Sequence, residues 1–264
     1  MKFKIAITTI ITATVLFSIL AMRPSSTDEP VVVEDKSIEK AEGNHFVVVE
    51  LFTSQGCHSC PPADKFLSEL VAEDEVNDNQ TLFPLSFHVD YWNYLGWKDP
   101  YSQAKFSSRQ RKYAQQLGSS VYTPQMVFNG VAEAVGSRPQ KVLDKLKKVI
   151  GNAHQTEINL QAEIGTNDIV VNYSTPEAPK NSVVNIALVE KDLTDQIARG
   201  ENRGKKLHHD NVVRVFKTEK ASSTEEKVKI KFPKDLNFEN ASIVAFIQNE
   251  NTFEIYGARQ IELR

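Results

Sequence analysis

Cys57 and Cys60 are the whole cysteine complement of the 264-residue chain. They stand in C-x-x-C spacing within Phe46-Val-Val-Val-Glu-Leu-Phe-Thr-Ser-Gln-Gly-Cys57-His-Ser-Cys60-Pro-Pro. Two thiols at this spacing can close a disulfide and reopen it by thiolate exchange. A thiol where a helix begins faces unpaired backbone N–H groups and the positive end of the helix dipole. Both favour the thiolate, which is the nucleophile. Two other chemistries compete. Structural zinc needs four ligands, and with no further cysteine His58 or His88 would have to contribute. A structural disulfide closing so short a loop gains little chain entropy. Redox exchange is therefore the stronger reading of the pair.

Around the cysteines stand residues of lesser weight. A cationic His58 would favour the Cys57 thiolate; a solvated residue at a helix start is the bland alternative. Pro61-Pro62 suits a first helical turn, where backbone donors are unpaired anyway. Tyr91, Trp92, Tyr94, Trp97 and Tyr101 cluster after the second strand and offer a binding surface or core packing. Trp92, Trp97 and Tyr122 are the candidate substrate contacts. His88 and Asp90 share a strand face by period two and are candidate proton handlers or satisfied structural groups. Arg109, Arg111 and Lys112 read as a solvated helix face. Ala198–Asn211, with Arg203, Lys205 and His208-His209, reads as a long polar loop, and long loops often carry function.

The elements that must position the cysteines follow from periodicity. Phe46–Phe52 is an apolar run expected as a buried strand, and Asp64–Glu73 carries Phe66, Leu67, Leu70 and Val71 at helical spacing. Thr81–Val89 is strand-like, with Pro84 suggesting an edge or a bend. Tyr101–Leu117 is helical and Gly118 caps it. Gln125–Phe128 and Val131–Val135 flank Asn129-Gly130, a strong hairpin signal. A helix follows Pro139, with Val142, Leu143, Leu146 and Ile150 as its stripe. After Gly151 the pattern changes to short strands: Glu157–Ile164, Ile169–Tyr173, Val183–Val189, Val212–Lys217, Lys227–Phe232, Ser242–Gln248 and Phe253–Leu263. These predict an antiparallel sandwich. The expected division is residues 45–151 as an α/β domain and 156–264 as a β-sandwich-like domain.

The order β-α-β-α-β-β-α, with C-x-x-C opening the first helix, resembles the thioredoxin fold. The resemblance implies an exposed, attacking Cys57 and a resolving Cys60. It implies a cis-proline at Thr123-Pro124, whose loop holds substrate chains and discourages metal binding by the thiols. It also implies that Glu50 is the buried carboxylate assisting proton transfer to Cys60, although its offset from Cys57 is one residue longer than in thioredoxin. Three longer strings are similar to the signature of a secreted family catalogued as domain of unknown function 1223. They are Glu50-Leu-Phe-Thr-Ser-Gln-Gly-Cys57-His-Ser-Cys60-Pro-Pro-Ala-Asp64, His88-Val-Asp-Tyr-Trp-Asn-Tyr-Leu-Gly-Trp97-Lys-Asp-Pro-Tyr101 and Tyr122-Thr-Pro-Gln-Met-Val-Phe-Asn-Gly130. That family carries no established substrate.

At the N-terminus Lys2 and Lys4 precede an apolar stretch, Ile5–Met22, which reads as an export signal or a retained membrane anchor. Residues 23–44 read as a polar linker. The expected location is extracytoplasmic, where disulfides persist. A net charge of −3 gives no reason to expect a nucleic-acid partner. The sequence thus predicts an exported thiol–disulfide oxidoreductase. Its expected partners are protein or small-molecule disulfides and thiols, with no cofactor and no metal. The alternatives are a binding or assembly protein on the same scaffold and a metal-handling protein.

Overall fold

Seven consecutive buried residues, Val47–Thr53, form a central strand because an apolar, β-branched run can bury both of its faces. The computed structural model of the protein describes residues 31–33, 45–77, 82–150 and 155–264. The expected signal or anchor at 1–22 lies outside the described residues. So does the expected linker, apart from Val31–Val33.

In chain order the elements are β1 (Val31–Val33), β2 (Val47–Thr53), α1 (Pro61–Asn77), β3 (Leu82–His88), α2 (Ala104–Leu117), β4 (Gln125–Phe128), β5 (Ala132–Val135) and α3 (Pro139–Ile150). Then follow β6 (Asn159–Ile164), β7 (Asp168–Ser174), β8 (Ser182–Glu190), β9 (Leu193–Gln196), β10 (Lys206–His209), β11 (Val212–Lys220), β12 (Glu226–Lys231), β13 (Ala241–Asn249) and β14 (Ile255–Glu262). The fold is mixed α/β: one large mixed sheet with two smaller sheets beside it.

The large sheet has the order β14-β13-β8-β11-β3-β2-β4-β5, so strands from both sides of the expected boundary near 151–156 share one hydrogen-bonded layer. The join is β11 running parallel to β3 through Val212 and Ser86. Pro84, expected at an edge or bend, sits in a strand flanked on both sides. Ser86 N–H donates to Asn211 C=O at 2.9 Å, and residue 84 faces the same way by period two. β11 has not yet begun opposite Pro84, so its missing N–H leaves no ladder bond broken.

Period two also sorts the cores. On one face Phe46, Val48, Phe52, Phe87, Val189, Val244 and Phe246 pack with Phe106 and Tyr113 of α2. On the other, Val47, Val49 and Leu51 meet Phe66, Leu67 and Leu70 of α1 and Val142 of α3. Further along that face Val184, Ile186, Leu188, Ile243 and Ala245 pack against Leu160, Ile169, Val171 and Ile230 of the sheet β1-β6-β7-β12. This second layer is the sandwich-like part that the alternation after residue 157 predicts.

The segment expected as a long loop, 198–211, contains β10, which pairs with β9 as an antiparallel hairpin and packs against α1. That hairpin brings the later half of the chain to the cysteines.

Candidate functional site

Cys57 and Cys60 form a disulfide at the entrance to α1. The chain leaves β2 through Thr53-Ser-Gln-Gly, and Cys57 N–H donates to Ser54 C=O at 3.1 Å. Ala63 and Asp64 N–H then donate to Cys60 C=O at 2.8 and 3.1 Å, so Cys60 opens the helix. Pro61 takes the first helical position, where no N–H is needed.

The sequence expectation of an exposed Cys57 is corrected here: Cys57 is 1% exposed and Cys60 0%. The cover comes from the β9–β10 hairpin. Asn202 Nδ2 donates to Gln55 C=O and to Cys57 C=O, both at 2.9 Å. His58 N–H donates to Glu201 Oε2 at 2.9 Å. The His58 side chain itself is exposed.

Gln55, which motif reading passed over, holds the cover and the aromatic segment together. Its N–H donates to Asp99 Oδ2 at 2.8 Å, its Nε2 to Asp195 Oδ2 at 2.8 Å, and its Oε1 accepts from Trp97 Nε1 at 2.9 Å. Trp92 lies against Gly56, where a side chain would meet Trp92 Cβ at 3.0 Å. Trp92 Nε1 donates to Thr123 Oγ1 at 2.8 Å, and the Thr123–Pro124 bond is cis. So Thr123, Trp92 and Trp97 frame the cysteine loop. Tyr122 instead donates its hydroxyl to Glu133. Tyr94 is exposed.

Glu50 departs from the expected role of proton carrier to Cys60. It lies on the α2 face of β2, whereas α1 packs on the opposite face. Arg109 Nε and Nη2 donate to Glu50 Oε2 and Oε1 at 2.5 and 2.9 Å, and the Tyr113 hydroxyl also donates to Oε1. Arg109 is thus no solvated residue. Its guanidinium stacks among Phe87, Tyr113, Phe216 and Phe246 at 4.9 to 5.8 Å from the ring centres. Burial opposes the Arg109 charge, yet Glu50 and Tyr113 hold its pKa above the ordinary value.

A second buried cluster lies beside the cysteine turn. His88 Nδ1 is 2.7 Å from Asp99 Oδ2. Burial opposes the imidazolium, but Asp99, Asp64 and Asp195 raise its pKa. Burial likewise raises the Asp99 pKa, and His88 with the Gln55 and Tyr101 N–H groups more than offsets it, leaving it lowered. His88 and Asp90, expected on one strand face as proton handlers or satisfied structural groups, each have a side-chain partner: Asp99 for His88, and Ser107, whose Oγ donates to Asp90 Oδ1 at 2.5 Å.

Asp64, one helical turn past Cys60, has both carboxylate oxygens buried, and among the described residues only the Thr53 hydroxyl approaches as a donor, without reaching full hydrogen-bond geometry. Burial pushes its pKa up to about 7, against the pull of His88 and Thr53. His209 Nδ1 is 3.8 Å from Asp64 Oδ1, and the His209 ring stands edge-on to His88 with centres 4.8 Å apart. Burial and His88 push the His209 pKa down to about 3. The adjacent His208 points away, its Nε2 2.8 Å from Asp210 Oδ2. One sequence signal could have found Asp64: it occupies the apolar stripe of α1 at i, with Leu67 at i+3 and Val71 at i+7. Among the described residues no group of three or more His, Cys, Asp or Glu is arranged to hold a metal ion.

Comparison with known proteins supports the outline. A crystal structure of a protein from Agrobacterium tumefaciens is similar at 26% identity and TM-score 0.63, covering 85% of this chain and 97% of that one. HBP35 of Porphyromonas gingivalis is similar in fold at 15% identity and TM-score 0.61, over 85% of this chain and 77% of that one. No curated protein matches. Residues 48–248, from β2 through the hairpin to β13, match the family described as protein of unknown function (DUF1223), and the chain belongs to that family.

Proposed function

We propose that the chain is an exported thiol–disulfide oxidoreductase with Cys57–Cys60 as its redox couple and a variant thioredoxin-like arrangement around it. The observation carrying this reading is the placement of the disulfide at the entrance of α1, with Trp92 linking Gly56 to Thr123. A helix entrance favours the thiolate that exchange requires. Export is supported by Lys2 and Lys4 before the apolar Ile5–Met22 segment, and an oxidising compartment preserves such a disulfide.

In the oxidised form a substrate thiolate attacks Cys57 Sγ. The new S–S bond joins substrate to Cys57, and the Cys57–Cys60 bond breaks with its electron pair on Cys60. A second substrate thiolate then displaces Cys57. The substrate leaves as a disulfide, oxidised by two electrons, and the protein dithiol has gained them. The reverse sequence, begun by the Cys57 thiolate, reduces a substrate disulfide.

Equilibration with glutathione buffers tests the reading. A potential between about −120 and −270 mV matches dithiol oxidoreductases, whereas one below about −300 mV marks a structural disulfide and overturns it. Cys57→Ser must also abolish exchange with a model protein disulfide.

The burial of both cysteines favours one second reading, a binding or assembly protein in which the hairpin covers the disulfide permanently. Cys60→Ser separates the two. Exchange chemistry leaves covalent partners trapped on Cys57, while a binding protein yields intact complexes without mixed disulfides.

A further inference from the structure

The β9–β10 hairpin is fastened over the disulfide at its tip and at its base, and the two fastenings differ in chemistry. At the tip, Asn202 and Glu201 bind the backbone of Gln55, Cys57 and His58. At the base, His209 on β10 is driven into the cluster beside α1, and neither ring nitrogen has a hydrogen-bond partner among the described residues. A buried imidazole in that state tolerates only its neutral form, because a charge there would be desolvated and uncompensated.

We propose that the hairpin is an acid-opened cover of the Cys57–Cys60 disulfide, with His209 as the proton switch.

The groups facing His209 decide the sign. Asp64 from α1 is the one carboxylate close to Nδ1, and it takes up its own proton as pH falls through about 7. Acidification therefore removes the counter-charge before His209 protonates. His88 from β3, whose pKa Asp99 holds above the ordinary value, carries its charge on the acid side and repels a second one. Asp99, from the segment after β3, is committed to His88. Tyr101 stands edge-on to His209, and the Arg214 guanidinium from β11 lies over Tyr101. Asp195 from β9 is bonded to Gln55. On and beside β10 itself, His208 and Asp210 pair with each other, and Asp192 lies 3.7 Å from His208 Nδ1. Among the described residues no uncommitted anion is left to hold a charged His209 in the closed hairpin. In an open hairpin the ring is solvated and protonates at its ordinary pKa. Opening then takes up one proton on His209 below about pH 6.5, an effect worth about tenfold per pH unit. Asp64, buried against His209, gives up its proton on exposure and opposes that effect, so Asp64→Asn isolates the His209 switch.

The test is the rate at which tris(2-carboxyethyl)phosphine reduces the disulfide of the full chain between pH 4.5 and 7.5. The phosphine becomes its oxide with an oxygen from water, and both sulfurs leave as thiols. Each rate is divided by that of an unstructured peptide carrying the same Cys-His-Ser-Cys disulfide at the same pH, which cancels the reagent's own titration. In Asp64→Asn, where the opposing carboxyl is absent, the ratio is expected to rise about 100-fold from pH 6.5 to 4.5. In Asp64→Asn/His209→Gln, neutral at both positions, it is expected to stay within about threefold. A flat ratio in Asp64→Asn, or an equal rise in Asp64→Asn/His209→Gln, overturns the proposal. Hydrogen exchange gives a second measurement on Asp64→Asn alone. Protection at residues 193–209 should fall on acidification while β2 and β3 keep theirs; loss in step with β2 and β3 overturns the proposal as well. Neither readout requires a physiological exchange partner, so the acid-opened cover and the oxidoreductase reading fail separately.

Discussion

The side-chain amide of Asn202 donates to the carbonyl oxygen of Cys57 at 2.9 Å, across 145 residues of sequence. The same Nδ2 donates to Gln55 C=O at 2.9 Å, so one buried amide ties the hairpin tip to both sides of Gly56. Asn202→Ala leaves two buried carbonyls unpaired only while the hairpin is closed. The expected loss is about 2 kcal/mol from the closed state, a factor of about 30 in time spent open. At pH 7.5 the phosphine reduction rate should rise by up to that factor, with little change in the global unfolding midpoint. An unchanged rate would mean that Asn202 does not hold the cover.

Arg109 and Glu50 form a buried pair whose partners are not interchangeable. Arg109→Met removes the guanidinium from between four aromatic rings and leaves the Glu50 carboxylate facing only Tyr113. Breaking a buried pair in this way costs about 3–5 kcal/mol, while replacing both charges costs far less. The double variant Glu50→Gln/Arg109→Met should therefore recover most of the stability in urea denaturation. A double variant no more stable than Arg109→Met would show that the cost lies in packing, not in the orphaned charge.

Much of this arrangement is legible locally. The Phe46–Phe52 run, the 3.6-residue stripes and Asn129-Gly130 locate β2, α1, α2, α3 and the β4–β5 turn, since each carries its own periodicity or turn chemistry. The Cys57–Cys60 pair is legible from its own spacing, and the Thr123–Pro124 loop from the resemblance to thioredoxin-like chains. What escaped is what depends on distant partners. β9 and β10 are four residues each and largely polar, and on β10 only Leu207 and His209 alternate inward, too short a pattern to read as strand. Arg109 looks like any helix-surface cation until Glu50, 59 residues earlier, is seen beneath it. The parallel join of β11 to β3 rests on Val212 and Ser86, a meeting that no local pattern encodes.

Gly130 tests how firmly the two halves are locked through the β4–β5 turn. Asn129 and Gly130 both take positive φ, 43° and 72°. The Asn129 carbonyl accepts from Ile255 N–H at 3.0 Å. A Cβ at residue 130 would lie 1.8 Å from the Phe253 carbonyl oxygen. Gly130→Ala therefore adds a backbone clash to left-handed strain and should cost about 3 kcal/mol or more. Thermal unfolding measures it. A loss under about 1 kcal/mol, the penalty for left-handed alanine alone, would mean that the Phe253 segment yields freely.

Asp64 and His209 give the fold opposite dependences on pH. Asp64 is raised from its ordinary 3.8 to about 7, so between those values the folded state binds the extra proton. Stability is greatest below about pH 4 for this group and falls as pH rises through 7. His209 is lowered from its ordinary 6.5 to about 3, so its contribution is present above 6.5 and is lost as pH falls towards 3. Each pKa unit corresponds to about 1.4 kcal/mol, which sets a ceiling of about 5 kcal/mol for either group. Asp64→Asn, neutral throughout, should gain on the wild type by about 2–4 kcal/mol between pH 4 and pH 8. His209→Gln should lose less stability than the wild type between pH 6.5 and pH 4.5. Urea titrations at unit pH steps read both differences. A gap between Asp64→Asn and the wild type that stays constant with pH would place the Asp64 carboxyl in contact with solvent, and a His209→Gln curve parallel to the wild type would do the same for His209.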